Sequence, residues 1–292
     1  MQQSFVTMIL LPLSLGIIML GLGLSLTPDD FRRVFKYPKA VLVGLLVQVV
    51  GLPLLCFTLL VLLKTDPILS VGFMVLSAAP GGTTASLYSH LFNGNVALNV
   101  TLTAINAVLS LFTMPIVVNF ALMYFLQDER ALPLEHSKVL QVFAIVLIPM
   151  SIGMWIRHKY AVVSKKLYKP VKIVSAVFLA LIIVAAIAQE SHNFTKFFAQ
   201  AGITALLFNI GSMVAGFAIP LFTGLNKGEA IAISMEVGIH NAAFAITVAA
   251  SPLLLNNGMM AVPPAVYGLI MMISAAFFGF IVSRAFRNRI SV

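Results

Sequence analysis

Ala79-Pro80-Gly81-Gly82-Thr83-Thr84-Ala85-Ser86 decides how this chain is read. It lies in the middle of an apolar run extending over approximately 68–93. Proline removes a backbone donor, and the paired glycines favour an unwound segment. In water such a stretch would be an ordinary loop. Its surroundings are not those of a soluble domain: 60% of the 292 residues are hydrophobic and 9% are Asp, Glu, Lys or Arg. A soluble domain carries about 25% charge, so this chain cannot cover itself with polar surface. Mean hydropathy is +1.04. Composition therefore excludes a soluble enzyme, a nucleic-acid binder and a disordered scaffold. Inside a bilayer, backbone groups freed by a break must be satisfied by protein or by a water-filled cavity. The break is therefore expected to line a cavity.

Outward from this point, runs long enough to cross a bilayer occur at approximately 5–26, 40–63, 68–93, 95–126, 139–156, 173–189, 203–223, 230–251 and 262–286. The expectation is an all-α polytopic membrane protein with nine transmembrane helices and no separate soluble domain. The first run lacks a basic region ahead of it and outlasts a signal-peptide core, so it reads as a retained span. Fourteen of the 18 basic residues fall on one side of this layout. They include Arg32, Arg33, Lys36 and Lys39, the group from Arg157 to Lys172, Lys227, and Arg284, Arg287 and Arg289. Lys64, Arg130, Lys138 and Lys196 fall on the other. By the positive-inside rule the N-terminus lies outside and the C-terminus in the cytoplasm. The surplus of nine positive charges is thus a topology signal. The one cysteine, Cys56, sits in an apolar run and reads as a small buried residue.

Eight of the nine acidic residues lie in loops or at span ends; Glu236 alone is deep within a span. It belongs to Ser234-Met235-Glu236-Val237-Gly238-Ile239-His240-Asn241, a second polar interruption of a membrane segment. Intramembrane carboxylates are costly and mark function. Glu236 and His240 share a face if the helix is regular. Asn99 and Thr103 form a polar stripe in the fourth run, which Asn106 and Ser110 extend. Gln48 and Asn209 are lone amides in the second and seventh runs, each followed by a proline, Pro53 and Pro220. Matching run 3 with run 8, 2 with 7, 4 with 9 and 1 with 6 leaves run 5 unpaired. That is an inverted repeat whose first unit lacks its opening helix, with two crossing broken helices at the site. Half-helix N-termini suit an anion, while unwound carbonyls and a carboxylate suit a cation. One intramembrane carboxylate and no HExxH do not make an enzyme.

These residues resemble the bile acid:sodium symporter family over nearly the whole chain. The likeness rests on Leu15-Gly16-Ile17-Ile18-Met19, Pro28-Asp29-Asp30-Phe31, the stretch from Tyr37-Pro38 to Gln48, Pro80-Gly81-Gly82-Thr83, Gly94-Asn95-Val96-Ala97-Leu98, and Glu236-Val237-Gly238 ahead of Asn241. It implies a nine-span secondary active transporter in a bacterial inner membrane, working by alternating access. A core domain (approximately 40–126 and 203–286) would move against a panel (approximately 5–26 and 139–189). It implies sodium as the coupling ion and an organic anion as substrate, bile-acid-like or a smaller carboxylate. A first sodium site would use Ser86, Asn99, Thr103 and Glu236, although the family's Ser-Asn pair falls here on Ala85-Ser86. A second would use Gln48, Glu236 and backbone at Val237 and Ile239, with His240 where the family has Gln. Imidazole is a poor sodium ligand, so a proton taken up by Glu236 and His240 stands as the alternative. Asn241, with the backbone around Thr83 and Thr84, would hold the substrate carboxylate. Met259, Met260, Met271 and Met272 form a Met-rich wall suited to an apolar ligand, or are packing filler.

Overall fold

The computed structural model describes residues 11–127, 136–171, 173–174, 177, 194–251 and 254–285. Among these every regular element is helical. The chain runs α1 (Leu11–Gly23), α2 (Pro28–Arg32), α3 (Pro38–Leu46), α4 (Leu52–Leu62), α5 (Pro67–Ser77), α6 (Ala85–Leu91), α7 (Val96–Leu126), α8 (His136–Lys159), α9 (161–171), α10 (Phe194–Phe222), α11 (Lys227–Gly238), α12 (Ala242–Ala250) and α13 (Val262–Ala285). Among the described residues four stretches are long and apolar enough to span a bilayer: Pro38–Leu62, Val96–Leu126, Ala199–Phe222 and Met259–Arg284. Large apolar side chains such as Ile116, Leu269, Ile273 and Phe277 are exposed along them. On a soluble protein such surface would be a liability; here it faces lipid. The chain is an integral membrane protein.

Capping explains where the helices start. Asp66 accepts from the N–H groups of Ile68 and Leu69 ahead of α5, with Pro67 in the first turn. Asn95 caps α7 through Leu98. Asn226 and Glu229 exchange bonds of 3.0 Å at the head of α11. In each case the side chain satisfies an orphan N–H of the first turn. α3 and α4 form one continuous span interrupted by a π-turn at Val47–Gly51. The cause is Pro53, which has no N–H to donate; Leu52 N–H reaches back five residues to Val47 O.

Runs 3 and 8 are each broken, as the sequence indicates. α5 ends at Ser77 and α6 begins at Ala85; α11 ends at Gly238 and α12 begins at Ala242. Two local expectations change. The connection after run 5 carries a further helix at 161–171, so Lys165, Lys166 and Lys169 sit on a helix rather than in a loop. The sixth run lies almost wholly outside the described residues, as do the ends of the chain.

α1 lies along α8 and touches α12. α10 packs on α11, α13 and α4, and α5 packs on α7. The α1–α8 approach is set by two glycines: a Cβ on Gly23 would overlap the Met150 carbonyl, and one on Gly153 would meet Leu20 O at 2.5 Å. Small residues that admit backbone-to-backbone contact are how helices associate where water supplies no driving force. Gly153→Leu should separate the pair and lower stability by about 1–3 kcal/mol, the cost of overpacking. The thermal midpoint of the purified protein in detergent reads this, with an exposed site such as Ile152→Leu as the reference.

Candidate functional site

The two breaks meet. Gly82 N–H donates to Ile239 O at 2.6 Å, and Asn241 N–H donates to Pro80 O at 2.9 Å. Gly81 and His240 thereby form a two-residue antiparallel pair. Each unwound segment satisfies backbone groups of the other, which the bilayer interior requires. The break also corrects a register. Ile239 is extended, at φ −112° and ψ 90°, so Glu236 and His240 do not share one helix face. Glu236 stays on the last turn of α11 and His240 lies in the crossing strand.

Glu236 is fully buried and is held from three sides. Thr103 Oγ1 donates to Oε2 at 2.6 Å, Asn106 Nδ2 donates to Oε1 at 3.4 Å, and the Gly81 backbone lies directly against the carboxylate. A Cβ on Gly81 would overlap all three atoms of the carboxyl group, so only glycine lets the break run this close. Gln48 Nε2 and His240 Nδ1 approach a single acceptor, Ala79 O, at 3.0 and 3.3 Å. A carbonyl only accepts, so His240 Nδ1 carries the proton in this bond. His240 stacks on Phe208 and meets Tyr267 edge-on. The side chains therefore converge on the broken segment of span 3, Glu236 from one direction and Gln48 with His240 from another.

The remaining buried polar atoms divide into satisfied and unsatisfied. Asn99 Nδ2 donates to Ala232 O at 2.9 Å. Asn209 Nδ2 bonds Gly238 O at 2.7 Å and Tyr267 Oη at 2.8 Å, while Ser274 donates to its Oδ1. Tyr267 itself donates to Gly238 O. Asn209 thus fixes the end of α11 and is interhelical glue. Ser234 donates to Met213 O and ties α11 to α10. Among the described residues Gln48 Oε1, Ser89 Oγ, Asn99 Oδ1, Asn106 Oδ1 and His240 Nε2 are buried with no protein partner. Three of these five are amide oxygens, the kind of ligand that a hard cation takes.

A cleft of ≈ 350 Å³ opens on the other side of the crossing. Gly82, Thr83, Thr84, His240 and Asn241 line it, together with Ile18 and Leu22 of α1, Tyr168 of α9 and Met271 and Met272 of α13. Asn241 Oδ1 accepts from Phe244 N–H and caps α12, which leaves its NH2 group as the donor it can offer a ligand.

Most of the residues read from the sequence therefore come together. Gln48, Thr103, Glu236 and His240 cluster at the crossing, with the backbone of Ile239 as part of the pair and Val237 on the same last turn of α11. Thr83, Thr84 and Asn241 line the cleft. Ser86 does not join them: its hydroxyl donates to Thr83 O at the start of α6. Asn99 is anchored to α11 with one oxygen unpartnered. Met259 and Met260 are not part of the cleft wall. Asn106 was read only as an extension of the polar stripe, yet it touches Glu236. Its spacing from Thr103, three residues on in the same helix, is the signal that places both on one face. Among the described residues no group of three or more His, Cys, Asp or Glu gathers to hold a metal ion.

The model of the Sodium Bile acid symporter family matches residues 12–197 of the chain. Among similar proteins, the probable sodium/metabolite cotransporter BASS1 of Arabidopsis thaliana chloroplasts is 27% identical over 86% of this chain and 61% of its own length. The uncharacterized sodium-dependent transporter YocS of Bacillus subtilis is 26% identical over 87% of this chain and 77% of its own. The human ileal sodium/bile acid cotransporter is 25% identical over 84% and 70%. The chain spans about three fifths of the length of the chloroplast relatives it matches. The family and these relatives are transporters, not enzymes.

The tightest feature of the site gives a direct test. Gly81→Ala should force the break away from Glu236 and destabilise the protein by about 1–3 kcal/mol. At Gly82 the nearest atom is His240 O at 3.0 Å, so Gly82→Ala should cost less. Thermal midpoints of the two variants in detergent check the order.

Proposed function

The chain belongs to the sodium bile acid symporter family, and on that premise we propose that it is a secondary active transporter that carries an organic anion with sodium. The observation that carries this is the buried Glu236 carboxylate at the crossing of two broken helices, ringed by amide and hydroxyl groups and with no Lys or Arg among the described buried residues. Taking a carboxylate into the interior without a basic partner favours a site that takes up a positive charge from solution. Gln48, Asn99, Thr103 and Glu236, with backbone at Val237 and Ile239, serve the ion. Ser86 can join only by giving up its bond to Thr83 O.

The substrate site is the cleft. Thr83, Thr84 and Asn241 provide hydroxyls and an amide at the head of α12, where backbone N–H groups favour an anion. Ile18, Leu22, Met271 and Met272 provide an apolar wall. The ligand class that fits is a carboxylate on an apolar body, from a small keto or hydroxy acid to a bile-acid-like molecule. Ion and substrate then lie on two sides of one thin strand, and occupancy of either changes the field and geometry felt by the other.

The packing supports a reading by alternating access. α1 and α8, with the sixth run, make the panel; the helices from α3 to α7 and from α10 to α13 make the core. The reciprocal pairing of the two breaks, one N–H given and one taken by each, supports an inverted repeat within a nine-span layout. The asymmetry of basic residues supports a cytoplasmic C-terminus in a bacterial inner membrane. A proton in place of sodium is the second reading. It is favoured by His240, whose Nε2 is buried without a partner beside the same strand.

Reconstituted into proteoliposomes, the protein should accumulate labelled organic acid under an inward sodium gradient. Uptake that ignores sodium but follows a pH gradient instead selects the proton reading. Glu236→Gln should reduce gradient-driven uptake to background while the protein remains monodisperse; undiminished uptake removes Glu236 from the mechanism. Asn241→Ala should raise the substrate KM roughly tenfold, the size of one lost hydrogen bond to a charged group, with little change in the sodium dependence. Equal loss of both would make Asn241 a cap and nothing more.

A further inference from the structure

The stretch from Arg157 to Lys172 holds six Lys or Arg residues and no Asp or Glu, and the site described above uses none of the six. It covers the end of α8 and all of α9. A topology signal needs basic residues only somewhere in the connection. Here they are placed more narrowly. Ser164, Tyr168 and Val171 recur at helical spacing and share one face of α9. That face is turned inward. Ser164 is buried, and its hydroxyl donates to Leu24 O, just past α1, at 2.9 Å. A Cβ on Gly21 would meet Val171 Cγ1 at 3.0 Å. Tyr168 lies between these contacts and forms part of the cleft wall beside Ile18 and Leu22.

On either side of this inner face α9 carries a different chemistry. Lys165 and Lys169 form an exposed basic edge, with Lys166 next to it. Among the described residues none of the three makes an ion pair. Val163 and Leu167 form an exposed apolar edge, at 45% and 40% exposure. The depth of the helix is set by what precedes it. Trp155 and Tyr160 meet edge-on with ring centroids 5.7 Å apart, and Lys159 Nζ lies 5.6 and 5.8 Å from the two rings. Amphipathic rings with a cation mark the head-group level of a bilayer, and α9 begins at the next residue. A helix at that level lies in the plane of the interface, its apolar edge in the acyl boundary and its lysines among the phosphates. An acidic soluble partner would use the basic edge and leave the exposed Val163 and Leu167 without a reason.

We propose that the outer surface of α9 binds anionic phospholipid headgroups, and that headgroup phosphates on Lys165, Lys166 and Lys169 hold Tyr168 in the cleft wall. One rigid helix carries both sets of side chains. An anion on the basic edge fixes the rotation of α9 about its axis, and that rotation sets how far Tyr168 reaches into the cleft. The Ser164 bond to Leu24 O is the pivot. Anionic lipid thus narrows access to the cleft from this side. The lipid surface stands whatever the cleft carries; that narrowing the cleft bears on substrate rests on the reading above.

Two measurements on the full-length protein test this, both in bilayer discs that expose both leaflets and both without sodium or substrate. The first puts a fluorescent reporter on the apolar edge, Leu167→Trp in a Trp155→Phe background; Trp155 is the one tryptophan of the chain. Phosphatidylcholine discs carry the same small fraction of either brominated phosphatidylglycerol or brominated phosphatidylcholine. The anionic quencher should be roughly fivefold more effective, the local enrichment that one lysine supplies. Lys165→Gln/Lys166→Gln/Lys169→Gln should bring the two quenchers together. Equal quenching with the lysines in place overturns the proposal, as does a preference that survives their removal. The second measurement is the rate at which a polar, uncharged maleimide labels Ala243→Cys in the cleft, in a Cys56→Ala background. Phosphatidylglycerol should slow labelling roughly fivefold in the chain that keeps its lysines and leave the triple variant unchanged. Labelling that ignores the lipid overturns the control of the cleft, and it does so without the tryptophan reporter should Leu167→Trp fail to fold. Neither result depends on which ion drives transport, so failure here leaves the sodium-coupled reading standing.

Discussion

Two backbone hydrogen bonds hold the site together. Gly82 N–H to Ile239 O and Asn241 N–H to Pro80 O join segments that are 157 or more residues apart in the chain. In hydrocarbon neither break could exist alone, because each exposes peptide groups that lipid cannot satisfy. Together they need no water and no further donor at these positions. The rest follows from the short distance this pairing imposes. It draws the end of α11 against Gly81, and only a residue without a side chain can lie over the Glu236 carboxylate. It presents Ala79 O to Gln48 and His240, and it turns Thr83, Thr84 and Asn241 toward the opposite face.

Such a crossing is thin. The groups around Glu236 and the cleft are separated by a single stretch of extended chain. Thin partitions couple: a charge placed near Glu236 is felt across the strand with little intervening dielectric, and a shift of the strand alters both sides together. Rigid helices could not do this, because their backbone groups are occupied internally. Neighbouring contacts limit how far the strand can move. Asn209, Tyr267 and Ser274 clamp the Gly238 carbonyl just before it, and the cap from Asn241 fixes α12 just after.

The sequence carried the signals that lie within a few residues of one another. Pro80-Gly81-Gly82 marked a break, and a lone carboxylate in an apolar run marked Glu236. Thr103 was legible as a polar residue on a helix that should be apolar. Two kinds of feature were not. One was where the break in run 8 begins, since Val237-Gly238-Ile239 contains no proline and its unwinding directly after Glu236 depends on a partner strand distant in sequence. A four-residue spacing therefore misplaced His240 relative to Glu236. The other was the π-turn at Val47–Gly51, which required seeing that Pro53 withholds its N–H while Leu52 reaches past its usual acceptor. Ser86 shows the converse error. It carries the right functional group near the right motif, but its nearest acceptor is its own turn, and local bonding wins where no tertiary partner competes.

Asn106 shows how the local and distant levels combine. As a sequence position it is a polar residue on a helix face, and packing glue would account for it. Its meaning changes because α7 is pressed between two different backbone irregularities. On one side is the glycine that admits Glu236; on the other is the proline-induced turn that carries Gln48. An amide donates to a carboxylate from one end and presents an oxygen from the other. A carboxylate in that position would repel Glu236, and an aliphatic residue would leave Glu236 short of a donor. The constraint on the residue comes from having to face two chemistries at once, and it can be seen only after both irregularities are in place.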